Sequence, residues 1–169
     1  MKNTIKSILI ICVLFAGYNV TAQKLGHVNS QAIMQEMPDY DAARKELESY
    51  KNDLTKELEM YQKLIVEFAQ DYEQNKGGMS AETRQRKETD LMERQQNYEK
   101  KAYEAENSLQ QKERQLLQQI MLKVNNAVKE LAEKEGYSYI YEVTTLLYAG
   151  GEDISDKVRK KLGITVSAN

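Results

Sequence analysis

The sequence predicts a mostly helical α+β protein, in which a long antiparallel helical hairpin forms a coiled-coil arm on a small β-sheet oligomerisation head. Three observations carry that expectation. Between Asp39 and Glu135 the chain holds no proline and no glycine except the pair Gly77-Gly78, and it is dense in Glu, Lys, Gln, Arg, Ala and Leu, strong helix formers. On both sides of that pair, apolar residues recur at helical spacing. The flanking segments instead carry aromatic and β-branched runs punctuated by glycine, the pattern of short strands.

The first 22 residues stand outside the fold. Lys2 and Lys6 precede an apolar run from Ile8 to Ala16, and Val20-Thr21-Ala22 supplies small or branched residues before a cut ahead of Gln23. The run is too short to span a bilayer. It reads as a signal peptide, which directs the chain out of the cytoplasm. Ile11 before Cys12 does not fit lipid attachment, so the single cysteine leaves with the leader, and the processed chain has neither a disulfide nor a thiol nucleophile.

Residues 23–38 are expected to form the first part of the head. Lys24 to Asn29 alternates weakly as a strand, Asn29-Ser30 caps a helix, and Ala32, Ile33 and Met37 share one face of a brief helix. Pro38 suits the first turn of the next helix, where Asp39 and Asp41 complement the positive end of its dipole.

The arm is expected over residues 39–115, with its turn at 77–80. Leu47, Leu54, Tyr61 and Phe68 fall seven apart, with Tyr50, Leu58, Leu64, Ile65 and Tyr72 on the same stripe. After the turn, where Ser80 is placed to cap the returning helix, Leu91, Gln95, Tyr98, Ala102, Ala105, Leu109 and Leu116 continue at spacings of three, four and seven. Such a seam is wide enough for one partner helix and too narrow for a globular core. The short connection forces the two helices antiparallel. At about 1.5 Å per residue, the first helix is about 57 Å long and the second, running to Glu135, about 80 Å.

Residues 116–169 return to the head. Leu116 to Val124, with Ala127, Val128 and Leu131, spread apolar side chains over too much of the helix for a narrow seam, so other elements must cover them. Gly136 ends the helix, Tyr137 to Val143 and Leu146 to Ala149 are expected as strands, and Asp153-Ile154-Ser155 caps a last helix from Asp156 to Leu162. Three short strands make a very small core with open edges. Assembly through the sheet is the economical solution, and it assigns Val28, Tyr139, Ile140, Tyr141, Leu146, Leu147 and Tyr148 to contacts between subunits.

Composition argues against catalysis. His27 is the only histidine, and with no cysteine in the processed chain it cannot complete a metal site or a catalytic triad. Gly77-Gly78 and Gly150-Gly151 lack the context of a phosphate loop, so no cofactor and no enzyme activity are expected. Removing Lys2 and Lys6 from 24 basic residues leaves 22 against 26 acidic ones, a net charge of −4, which disfavours nucleic acid as a partner. Met60, Met92 and Tyr103 lie off the seam, where flexible apolar side chains suit contacts of low specificity.

The signal peptide, Gly26-His27-Val28-Asn29-Ser30-Gln31, Met37-Pro38-Asp39-Tyr40 at the start of a long helix, and the closing sequence Glu135-Gly136-Tyr137, Leu146-Leu147-Tyr148-Ala149, Asp153-Ile154 and Val158 together carry a resemblance. The chain resembles the Skp/OmpH-type periplasmic chaperones over essentially the whole processed sequence. The resemblance implies a trimer, of this chain alone or mixed with relatives, whose strands join in a central β-structure, with three hairpin arms around a cavity that holds unfolded outer-membrane proteins without ATP. It also places the protein in the periplasm, near a membrane surface. Well-studied members are basic and this chain is acidic, so no lipopolysaccharide site is carried over. The competing expectation is a structural spacer or adaptor of the cell envelope that binds through the hairpin tip, where Met79, Arg84 and Arg86 lie.

Overall fold

The computed structural model describes residues 23–165. The leader, residues 1–22, lies outside the described residues, and so does the Ala22 side of the predicted cut. Strand β1 covers Lys24–Val28, helix α1 Ser30–Gln35, helix α2 Pro38–Asn75 and helix α3 Ala81–Glu135. They are followed by β2 at Tyr137–Glu142, β3 at Glu152–Asp153 and helix α4 at Ser155–Lys161.

The local signals act as expected at most boundaries. The Asn29 side chain accepts a hydrogen bond from the Ala32 amide at 2.9 Å and caps α1. Pro38 opens α2, where its missing N–H leaves no bond unmade. A single 3₁₀ turn at Lys76–Gly78 reverses the chain, and the Ser80 hydroxyl accepts from the Thr83 amide at 3.1 Å to start α3. Gly136 ends α3 with φ at 74°, a left-handed conformation open to glycine at little steric cost. Helix α2 has 38 residues and α3 has 55, so the base of α3 runs on past the start of its partner.

That overhang forms one wall of the head core. Ile120, Val124, Ala127 and Leu131 of α3 are buried with Val28, Ile33, Met34, Met37, Ala43, Tyr137, Ile154 and Val158. Ile33, Val124, Ile154 and Val158 are fully enclosed. Five elements thus pack around the broad apolar part of α3, and the head is a small core built around the arm's root.

The sheet differs from expectation. Its order is β2-β1-β3, and both pairings are parallel. Leu146 to Ala149 form no strand among the described residues: Val143–Thr145 wind into a 3₁₀ turn, with the Thr145 hydroxyl donating to the Glu142 carbonyl at 2.7 Å, and this ends β2 and turns the chain off the sheet. Leu146 keeps extended dihedrals, φ −97° and ψ 133°, without a ladder partner. The second neighbour of β1 is instead Glu152–Asp153, brought in by Gly151, where a β-carbon would lie 3.0 Å from the Leu25 carbonyl oxygen. Aromatic and branched composition marked Leu146 to Ala149 as extended but could not supply a partner. The last helix begins at Ser155, one residue before expectation, with the Asp153 carboxylate accepting from the Ser155 amide at 2.9 Å.

Along the arm the expected seam is half-buried, with Tyr72 buried, except that Leu64 and Gln95 face solvent. Their helix positions lie at the margin of the stripe, which a two-helix contact does not cover. No described helix is long and apolar enough to cross a membrane.

Candidate functional site

Two exposed apolar surfaces stand out, one on the head and one along the arm. On the head, Tyr139 and Tyr141 project from the same face of β2, their ring centroids 6.1 Å apart and their planes 22° from parallel. Leu25, in register with Tyr139 on β1, is exposed beside them. Leu147 and Tyr148 on the unpaired segment are almost wholly in solvent, at 108 % and 86 % relative exposure. Leu146 and Ile140 are half-buried, and Ile140 packs on the core. Val28 departs from the group: at 5 % exposure it belongs to the chain's own core, because it points to the sheet face that α3 covers. Its predicted role between subunits is therefore corrected to an internal one.

On the arm, Met60, Met92 and Tyr103 are exposed at 55 %, 60 % and 68 %, as their positions off the seam required. They do not form one patch. The edge of α2 that carries Glu46, Glu57 and Asp71 faces Lys112, Lys101 and Lys87 of α3 at 2.5, 3.5 and 3.2 Å. Met60 and Leu64, four residues apart, extend this edge. Met92 lies five residues from Lys87 and Tyr103 two from Lys101, rotations of roughly 140° and 200° on a helix of 3.6 residues per turn. These two residues, with Val66 of α2, thus occupy the opposite edge. The sequence reading missed Leu64 and Val66 as exposed groups: it placed Leu64 on the seam stripe and passed over Val66.

Polar groups seal the seam between these edges. Tyr50 meets Ser108, and Tyr72 donates to Glu88, which raises the tyrosine's pKa, chiefly through that hydrogen bond to a carboxylate. Lys87 and Arg94 both lie 4.5 Å from the centre of the Phe68 ring. At the tip, Met79 is half-buried, Arg84 and Arg86 are exposed, and Lys76 pairs with Glu73 at 2.7 Å.

The head's densest charge cluster joins five segments and was not legible in the sequence. Lys157 of α4 reaches Glu135 at the end of α3 at 2.5 Å and Glu152 of β3 at 2.6 Å. Lys24 of β1 lies 3.4 Å from Glu135, 3.6 Å from Glu152 and 3.8 Å above the Tyr137 ring. The hydrogen bond from Lys157, aided by Tyr137 and the nearby positive charges, holds the Glu152 carboxyl down at about 2. Glu135 is lowered in the same way, first by Lys157, and Lys157 is raised by both carboxylates. Lys24 is raised as well: burial pushes it down, but its bonds to Tyr137 and Glu135 and the charge of Glu152 outweigh that.

His27 sits in the central strand, nearly buried, with Nε2 4.0 Å from an Asp153 carboxylate oxygen. No group of three or more metal-ligating side chains occurs among the described residues.

A long two-helix arm with apolar side chains on both edges, rooted in a head that leaves a stacked aromatic face uncovered, defines a protein that works by contact surface. Comparison with known proteins places it more closely. A family model described as "Outer membrane protein (OmpH-like)" matches residues 24–162, and the chain belongs to that family. Among its relatives, a "Chaperone protein Skp" from Yersinia enterocolitica is 25 % identical over 150 residues, covering 88 % of this chain and 92 % of that protein. Another protein of the same name, from Pectobacterium atrosepticum, is 27 % identical over 142 residues, covering 83 % of this chain and 86 % of the relative. An OmpH-like chain from Caulobacter crescentus, known from a crystal structure, has the same fold, with a TM-score of 0.73 at 13 % identity over 90 % of this chain and 92 % of that one.

Proposed function

We propose that the chain is a periplasmic holding chaperone for unfolded outer-membrane proteins. After export and removal of residues 1–22, three copies join through Tyr139, Ile140, Tyr141, Leu146, Leu147 and Tyr148 of the head, and the arms enclose a cavity that receives the client. No nucleotide drives the cycle: clients are held by many weak apolar contacts and released by their own folding. The observation that carries this reading is the dispersal of exposed apolar side chains, Met60, Leu64, Val66, Met92 and Tyr103, along both edges of the arm. Each contact contributes a fraction of a kcal/mol, so none dominates and the site has little sequence preference. The names of the relatives support the same class of activity.

The exposed Arg84 and Arg86 beside Met79 favour a second reading, an envelope adaptor that binds through the tip. Suppression of aggregation of a urea-denatured β-barrel protein, measured by light scattering during dilution, separates the two. Replacing Met60, Met92 and Tyr103 by Ser, Gln and Ser should weaken suppression more than replacing Met79, Arg84 and Arg86 together. The reverse order, with helix content unchanged, overturns the holding reading, because tip recognition concentrates binding energy in a few anchor residues.

A further inference from the structure

We infer that Gln23 is a modification site, at which the processed chain closes its own amino terminus into a pyroglutamyl lactam. The inference rests on the leader reading above, in which the cut after Ala22 makes Gln23 the first residue. An amino-terminal glutamine carries an α-amine and a side-chain carboxamide at the spacing of a five-membered ring. The amine nitrogen attacks the carboxamide carbon, the new C–N bond forms as the bond to the terminal NH₂ breaks, and ammonia leaves with the proton given up by the attacking nitrogen. Nothing is oxidised or reduced.

The structure supplies the setting. Gln23 is exposed and lies outside β1, so ring closure there disturbs no strand pairing and the residue is open to a cyclising enzyme. The next residue, Lys24, is the first of the strand and pairs with Tyr137. Its ammonium and that of Lys157 already balance Glu135 and Glu152 within the cluster. Ring closure turns the exposed cationic amine ahead of the strand into a neutral lactam. The lactam also removes the free amine that aminopeptidases recognise. Trimming by two residues would take away Lys24, the only group β1 contributes to the cluster; the ring therefore guards the edge of the head.

The test uses the full chain drawn from the cells that naturally make it, lysed directly into an amine-labelling reagent so that closure during storage is excluded. The expected amino-terminal peptide starts at residue 23, is lighter than the glutaminyl form by one ammonia and takes no label. A labelled Gln23 amine overturns the inference and leaves the leader reading standing. A peptide starting elsewhere, or retained leader, overturns both. A Gln23→Ser variant should be cut at the same bond, carry a labelled amine and lose Lys24 to an added aminopeptidase while the natural protein keeps it. Equal trimming of the two overturns the protective role.

Discussion

At the scale of single residues, the head is tied together by charge. Glu135 and Glu152 have carboxyl groups held below their ordinary value of 4.5, Glu152 at about 2, chiefly by Lys157. A depressed carboxyl contributes stability that is fully present above its unfolded pKa and lost as pH falls through the folded one. The natural head should therefore lose this contribution between about pH 4.5 and pH 2. Replacing Lys157 with Met removes the main cause of both shifts. The variant should melt at a lower temperature than the natural protein at pH 7, and the difference should shrink steadily on acidification through that window. A difference that stays constant from pH 7 to pH 2, followed by circular dichroism, would show that the cluster is not what the two carboxylates respond to. None of this was legible beforehand: Lys24, Glu135, Glu152 and Lys157 are scattered along the chain and meet only because three strands and two helices converge at the ring of Tyr137.

At the scale of elements, the arm was readable and the edge of the sheet was not. Helix α2, the turn and α3 follow from local signals: a seven-residue period, a proline at one end, two glycines in the middle and a glycine stop at Gly136. Residues 146–149 show where such signals fail, since strand propensity describes a half-buried pleated surface and cannot say whether a neighbouring strand exists. The arm itself is thinly held, because its seam side chains other than Tyr72 are half-buried or exposed. Phe68→Ala and Leu109→Ala should each cost about 1–2 kcal/mol, less than the roughly 2–5 kcal/mol of fully buried large apolar groups. Loss of Phe68 also removes the ring between Lys87 and Arg94, a further fraction of a kcal/mol. Amide hydrogen exchange should then quicken over residues 55–115 and stay unchanged over β1 and β2. Equal quickening in the sheet would make arm and head a single cooperative unit, contrary to the separation of their cores.

At the scale of the whole molecule, the two faces of the head sheet differ. The core is enclosed on the side where α3, α1 and α4 pack, while the opposite side presents Leu25, Tyr139 and Tyr141, followed by residues 146–149 with no ladder partner, of which Leu146 is extended and Leu147 lies in a bend. Backbone groups on an unpaired strand edge and apolar rings in water both favour association, and the same surface can satisfy both needs. Leu147 and Tyr148 give the cleanest test. They touch little within their own chain, so Leu147→Asp with Tyr148→Asp should leave the monomer's fold and melting cooperativity intact. If the proposed trimer forms through this surface, burying the two new carboxylates between subunits without partners is expensive, and the mass by light scattering should fall from three chains toward one. The arm of the resulting monomer should remain helical but suppress client aggregation poorly, since a single arm encloses nothing. An unchanged trimeric mass would place the assembly surface elsewhere. A monomer that suppresses aggregation as well as the natural protein would show that the arms hold clients without a cage.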